Sequence, residues 1–169
     1  MMKMMKLSLA LAIMIVLLGG CPIGDHFDFI TGPKPVVTVS VNEAAAGDFV
    51  DVTVKTRWFL RETSQSPEQR IYIEIGACFE VLSSEEVGGF CSSTLPLPNG
   101  LKLAEGDTPF TDYGELVIKR GESVDLEHHF RLTADQPAEV VITGILTRRS
   151  IEDDQRGIEI GQQALVKFK

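Results

Sequence analysis

The chain has 169 residues with 24 acidic against 16 basic side chains and a formal charge of −8. That length suits one main domain with a core of its own. The acidic balance and the lack of clustered Lys and Arg exclude a nucleic-acid partner from the reading, because phosphate binding needs such clusters.

The first element is MMKMMK followed by the apolar run from Leu7 to Leu18 and then Gly19, Gly20 and Cys21. Lysines, about a dozen apolar residues and small residues before a cut describe a secretory signal peptide, and the run is short for a spanning helix, which needs roughly 20 residues. Leu18-Gly19-Gly20-Cys21 resembles the lipobox of prokaryotic lipoproteins, whose signal peptidase cuts before a diacylglycerol-bearing cysteine. The resemblance implies a signal peptide over 1–20, a mature N-terminus at acylated Cys21, palmitate-type lipidation and a place in the cell envelope. With Pro22 after the cysteine, analogy with enteric lipoproteins implies the outer membrane, facing the periplasm, where the source has two membranes. Losing Lys3 and Lys6 with the signal leaves 14 basic against 24 acidic residues, a mature charge of −10.

Residues 21–35 form the lipidated cysteine and a flexible tether, three prolines and two glycines with no sustained period. From Val36 to residue 169 the pattern has period two, which marks half-buried strands. Val37, Val39 and Val41 alternate with polar residues, as do Val50, Val52 and Val54. Further runs include Ile71 through Val81, Leu116 and Ile118, Val124 through Leu132, Val140 through Leu146, and Ala164, Val166 and Phe168. Turn signals separate them, among them Ala46-Gly47-Asp48, Ser66-Pro67, Asn99-Gly100, Arg120-Gly121 and Asp153-Asp154 through Gly157. Seven to nine short antiparallel strands over one core predict an all-β sandwich.

Two segments, Gly47-Asp48-Phe49-Val50-Asp51-Val52-Thr53-Val54 and Gly121-Glu122-Ser123-Val124-Asp125-Leu126-Glu127-His128, share a Gly-acid turn and a strand. They resemble the second and fifth strands of bacterial immunoglobulin-like and fibronectin type III-like domains, which lie on one sheet. The hairpin from Glu122 to Arg149, turning at Asp135-Gln136-Pro137, is similar to the fifth and sixth. The chain departs from antibody-type domains, since Cys78 and Cys91 are too close to be the inter-sheet pair and Trp58 ends the second strand run.

With Cys21 assigned to lipid, Cys78 and Cys91 remain as a pair for a disulfide in an oxidising compartment. No metal site is expected, because no His stands at zinc-ligand spacing beside them and the acidic loops Glu85-Glu86 and Glu152-Asp153-Asp154 lack cation-wrapping spacing. His128 should point inward with Val124, Leu126 and Phe130 and be hydrogen-bonded, while His129 should face solvent. No nucleophile-elbow serine occurs, so no catalysis and no cofactor are expected. Trp58 should enter the core and leave Phe59 outside, near the polar loop from Arg61 to Arg70. That end of the sandwich is the candidate contact site for an envelope protein or a glycan. The sequence reads as a monomeric, non-catalytic, lipid-anchored binding or structural module. The alternatives are an inhibitor or assembly factor for an exported enzyme, and a hydrolase or metal-dependent enzyme with an unrecognised site.

Overall fold

The computed structural model describes residues 34–82, 97, 100–152, 154 and 156–169. Among them lie nine strands and no helix: β1 (Val36–Val39), β2 (Glu43–Ala44), β3 (Val50–Phe59), β4 (Glu68–Val81), β5 (Leu101–Leu103), β6 (Phe110–Lys119), β7 (Ser123–Ala134), β8 (Ala138–Ser150) and β9 (Arg156–Phe168).

They build two sheets. One has the order β1-β3-β7-β5, the other β2-β9-β8-β4-β6. Setting β1, β3, β7 and β5 beside the A, B, E and D strands, and β9, β8 and β4 beside G, F and C, reproduces the immunoglobulin-like strand order. The expected second and fifth strands, β3 and β7, pair along their length from Val50 with Leu132 to Phe59 with Ser123. One departure lies between β4 and β7, where the chain visits the first sheet as β5 before returning to the second as β6.

The expected hairpin from Glu122 to Arg149 is corrected. β7 pairs with β3 and β5, whereas β8 pairs with β4 and β9. The Asp135-Gln136-Pro137 link therefore crosses between sheets, as fifth and sixth strands of this topology do, and Pro137, with no N–H to donate, suits a crossing better than a ladder.

Alternation decides the core. Val50, Val52, Val54, Thr56 and Trp58 of β3 are buried, as are Ile71 through Phe79 at odd positions of β4, and Leu126, Phe130 and Leu132 of β7. The Phe79 and Phe130 rings meet edge to face with centroids 5.8 Å apart, joining the sheets at the centre. Trp58 is fully buried, as the alternation requires.

One strand defeats the alternation. Between β8 and β9 the pairing runs from Thr143 with Gln163 to Ile145 with Ile160, so β9 carries one extra residue there. A bulge of this kind flips the phase of every side chain beyond it. Val166 and Phe168 are therefore in the core, while Ile158 and Ile160, at even positions too, are exposed at 67% and 60%. Gly161 sits in the bulge, and a Cβ there would collide with the Pro35 carbonyl.

Candidate binding groove

A groove of about 630 Å³ crosses the second sheet, lined by Tyr72 and Glu74 of β4, Asp112 of β6, Thr147 and Arg149 of β8, and Arg156 and Ile158 of β9, among others. Directly paired residues of antiparallel strands share a face, so Tyr72 with Arg149, Glu74 with Thr147, and Arg149 with Arg156 stand side by side. The Arg149 guanidinium lies 5.0 Å above the Tyr72 ring, an ordinary cation–π distance, and its Nε is 3.5 Å from Asp154 Oδ1. The Thr147 hydroxyl donates to Glu74 Oε2 at 3.1 Å. Charge is thus divided across the groove, with carboxylates on β4 and β6 and arginines on β8 and β9.

On the opposite face of the molecule, β3 and β7 form a ladder of matched partners. Arg57 pairs with Asp125 at 2.6 Å and Lys55 with Glu127 at 2.7 Å. Arg57 holds the Asp125 carboxyl below its usual range, and Lys55 does the same to Glu127. His129 adds a line of three groups. Its Nε2 is 2.6 Å from Glu127 Oε1 and its Nδ1 is 2.9 Å from Thr53 Oγ1. In the neutral imidazole, Nε2–H donates to the carboxylate and the Thr53 hydroxyl donates to Nδ1. This resembles a hydroxyl–imidazole–carboxylate relay, yet Thr53 is paired to Thr38 on one side and His129 on the other. Thr53 therefore lies between two ladders, and the three side chains stand in a row across the outward face of β3 and β7. The line is a rung of the charge ladder.

The sequence-predicted residues fall as follows. His128 is buried and its Nε2–H donates to the Thr108 carbonyl at 2.8 Å, while His129 is exposed. Phe59 is half-buried on β3, in the first sheet; Arg70 is exposed on β4, in the second, with its guanidinium 2.7 Å from Glu115. Arg61 is exposed in the connecting loop. Phe59 and Arg70 thus belong to strands of different sheets, both on outward-facing positions, and do not share one face. Cys78 is half-buried on the outward side of β4. Cys21 and Cys91 lie outside the described residues, as do Glu85, Glu86 and Asp153. Among the described residues no cluster of three or more His, Cys, Asp or Glu could hold a metal, and no helix is long and apolar enough to cross a membrane.

Sequence reasoning missed the groove. The alternation in the sequence marks the last strand only from Ala164 onward. The available signal was Ile158-Glu159-Ile160, a strand alternation ahead of Gly161, but its phase is hidden by the bulge.

These features define an immunoglobulin-like β-sandwich with a mixed-charge groove on its larger sheet. No family model matches the sequence, and no curated protein matches it. Several solved structures are similar in shape. The sporulation control protein Spo0M from Bacillus subtilis is 16% identical over 83% of this chain at a TM-score of 0.41. A protein from Archaeoglobus fulgidus is 6% identical over 82% of this chain and 98% of its own, at a TM-score of 0.42. The ASH/PapD-like domain of human CEP192 is 4% identical over 79% of this chain and 84% of its own, at a TM-score of 0.37. This chain spans 51% of the Spo0M chain. Likeness at this level carries no function from those proteins.

Proposed function

We propose that the protein is a non-catalytic, lipid-anchored binding or structural module of the cell envelope, held to a membrane by acylated Cys21. The reading rests on the run ending Leu18-Gly19-Gly20-Cys21 and on a sandwich whose outward polar groups are matched rung by rung on the first sheet while the second presents a groove. Acyl chains contribute about 0.8 kcal/mol per buried methylene, so two or more chains retain a protein at a membrane.

Intact mass of the protein from the membrane fraction tests the anchor. The expected species starts at Cys21 with its acyl mass added, and Cys21→Ser is neither acylated nor retained; a Cys21→Ser protein still acylated and membrane-bound overturns it. The second half of the proposal is a Cys78–Cys91 disulfide, for which a compartment that permits oxidation is the supporting condition. Thiol labelling of non-reduced, exported protein should leave both cysteines unlabelled, and labelling of both refutes the pair.

A further inference from the structure

The strand edges of this sandwich are not treated alike. On the free side of β7 the Tyr113 hydroxyl accepts from the Glu127 N–H at 2.7 Å and donates to the Glu127 carbonyl at 2.6 Å. Asp107 Oδ2 accepts from the Arg131 N–H at 2.8 Å, and the Ala104 N–H donates to the Arg131 carbonyl at 3.0 Å. β6 is broken by Gly114 at φ 69°, whose N–H is taken by Asp112 Oδ1 at 2.7 Å. Side chains and kinks of this sort keep a sheet edge from recruiting another strand.

The far side of β9 is protected only in part. The Pro35 carbonyl accepts from the Gln162 N–H at 2.8 Å, and β2 pairs with Lys167 and Phe168. Among the described residues, no backbone group bonds residues 156–160 from that side. This open stretch carries exposed Ile158 and Ile160, and it opens beside the groove. It also places Arg156 directly opposite Arg149, a cross-strand juxtaposition of like charges that is unfavourable on its own. Asp154 answers Arg149 at 3.5 Å from an exposed position, and Arg156 makes no ion pair among the described residues.

We propose that this edge binds an extended segment of a partner protein that presents on one face an acidic side chain followed by two apolar ones, with polar residues between them. Arg156, Ile158 and Ile160 project from one face of β9, so the segment, added as a strand beside residues 156–160, sets a carboxylate against Arg156 and, two and four residues along, lays apolar side chains on Ile158 and Ile160. Strand addition draws affinity from main-chain hydrogen bonds and specificity from alternate side chains. Charge complementarity selects the acidic partner: a chain of net charge −8 disfavours an acidic segment over most of its surface, and the arginine pair is where one is accommodated. Glu74 and Asp112 lie on β4 and β6, on the far side of β8, so they do not meet it. The proposal rests on the reading of the protein as a binding module and names the partner's chemistry.

The test uses the full-length protein in detergent and the fluorescein-labelled peptide Thr-Glu-Thr-Val-Thr-Val-Thr, whose glutamate and two valines share one face, together with the reversed sequence for the opposite strand direction. The expected result is saturable binding, weaker by about tenfold or more when lysine replaces glutamate or when alternate peptide nitrogens are methylated. Amide exchange at residues 157–160 should slow on binding. Arg149→Gln/Arg156→Gln should bind about tenfold or more weakly while unfolding at the same or a higher temperature, since it relieves like-charge repulsion. No binding at millimolar peptide, equal binding of the lysine peptide, or unchanged binding by the double variant overturns the proposal. So does self-association abolished by Ile158→Lys without peptide binding, which assigns the edge to a second copy. Cross-linking in native membranes separates the two readings. A partner held equally by wild type and double variant removes this site and keeps the binding module; no partner in either removes the module itself.

Discussion

The Tyr113 hydroxyl satisfies both backbone groups of Glu127 from across the sandwich, accepting at 2.7 Å and donating at 2.6 Å. One phenol on β6 of the second sheet thereby takes the place of a neighbouring strand on β7 of the first. Tyr113→Phe removes one oxygen and leaves a donor and an acceptor unmet. The expected loss is about 1–3 kcal/mol, read by urea denaturation, with a greater tendency to associate through the opened edge. Unchanged stability shows that water replaces the hydroxyl at no cost.

Trp58 is fully buried and the Arg148 guanidinium lies 5.9 Å from its ring centroid. As the only tryptophan, it reports on the core by itself. Its emission should be blue-shifted in the folded protein and move to the red on unfolding. Trp58→Ala should cost about 3–5 kcal/mol, measured by thermal melts.

The exposed ladder predicts an acid limit. The carboxyls of Asp125, Glu127 and Glu43 are held below their usual values by Arg57, Lys55 and Lys169 respectively. Folded-state values lower than unfolded ones give a contribution fully present above about pH 4 and lost as pH falls through the folded values. Lys167 is raised by Glu139, so its share is present below about pH 10 and lost as pH rises beyond. Melting temperature should be nearly flat between these limits and fall below the lower one. Salt at 1 M should shrink the acid-side change, because these pairs face solvent. A melting temperature that rises on acidification contradicts the sign.

Gly161 carries a prediction about the bulge. A Cβ there would enter the Pro35 carbonyl, which is backbone and cannot swing aside. Gly161→Ala should lower stability by about 1–3 kcal/mol and raise amide exchange at Gln162, whose N–H bonds that carbonyl. Gly47→Ala meets nothing within 4 Å and pays only for its φ of 93°, so a similar loss in both variants would show that crowding at Pro35 is not the cause.

Much of the fold was legible because the buried side chains of β3, β4 and β7 keep strict alternation, and the shared Gly-acid turns before Val50 and Ser123 marked strands of one sheet. The direction of His128 and His129 followed from the same rule. What escaped was long-range. Nothing in Asp135-Gln136-Pro137 distinguishes a hairpin from a crossing between sheets, since both need a turn there. The phase of Ile158 depends on a bulge set by Gly161 against Pro35, 126 positions earlier in the chain. The groove residues are scattered over four strands, and no local spacing links Tyr72 to Arg156.

The bond from Gln162 to Pro35 and the pairing of β2 with β9 also bear on how the chain reaches this state. β2 finds its sheet neighbour only in the last strand, and Pro35, just ahead of β1, bonds there too, so loop-closure entropy over most of the domain must be overcome before those contacts stabilise anything. Topologies dominated by such distant pairings fold slowly, in milliseconds to seconds. Until β9 docks, β8 has an open side and β2 has no sheet to join. The rate of acquiring native structure should therefore be governed by the arrival of residues 156–168, and a nascent chain that lacks them remains extendable.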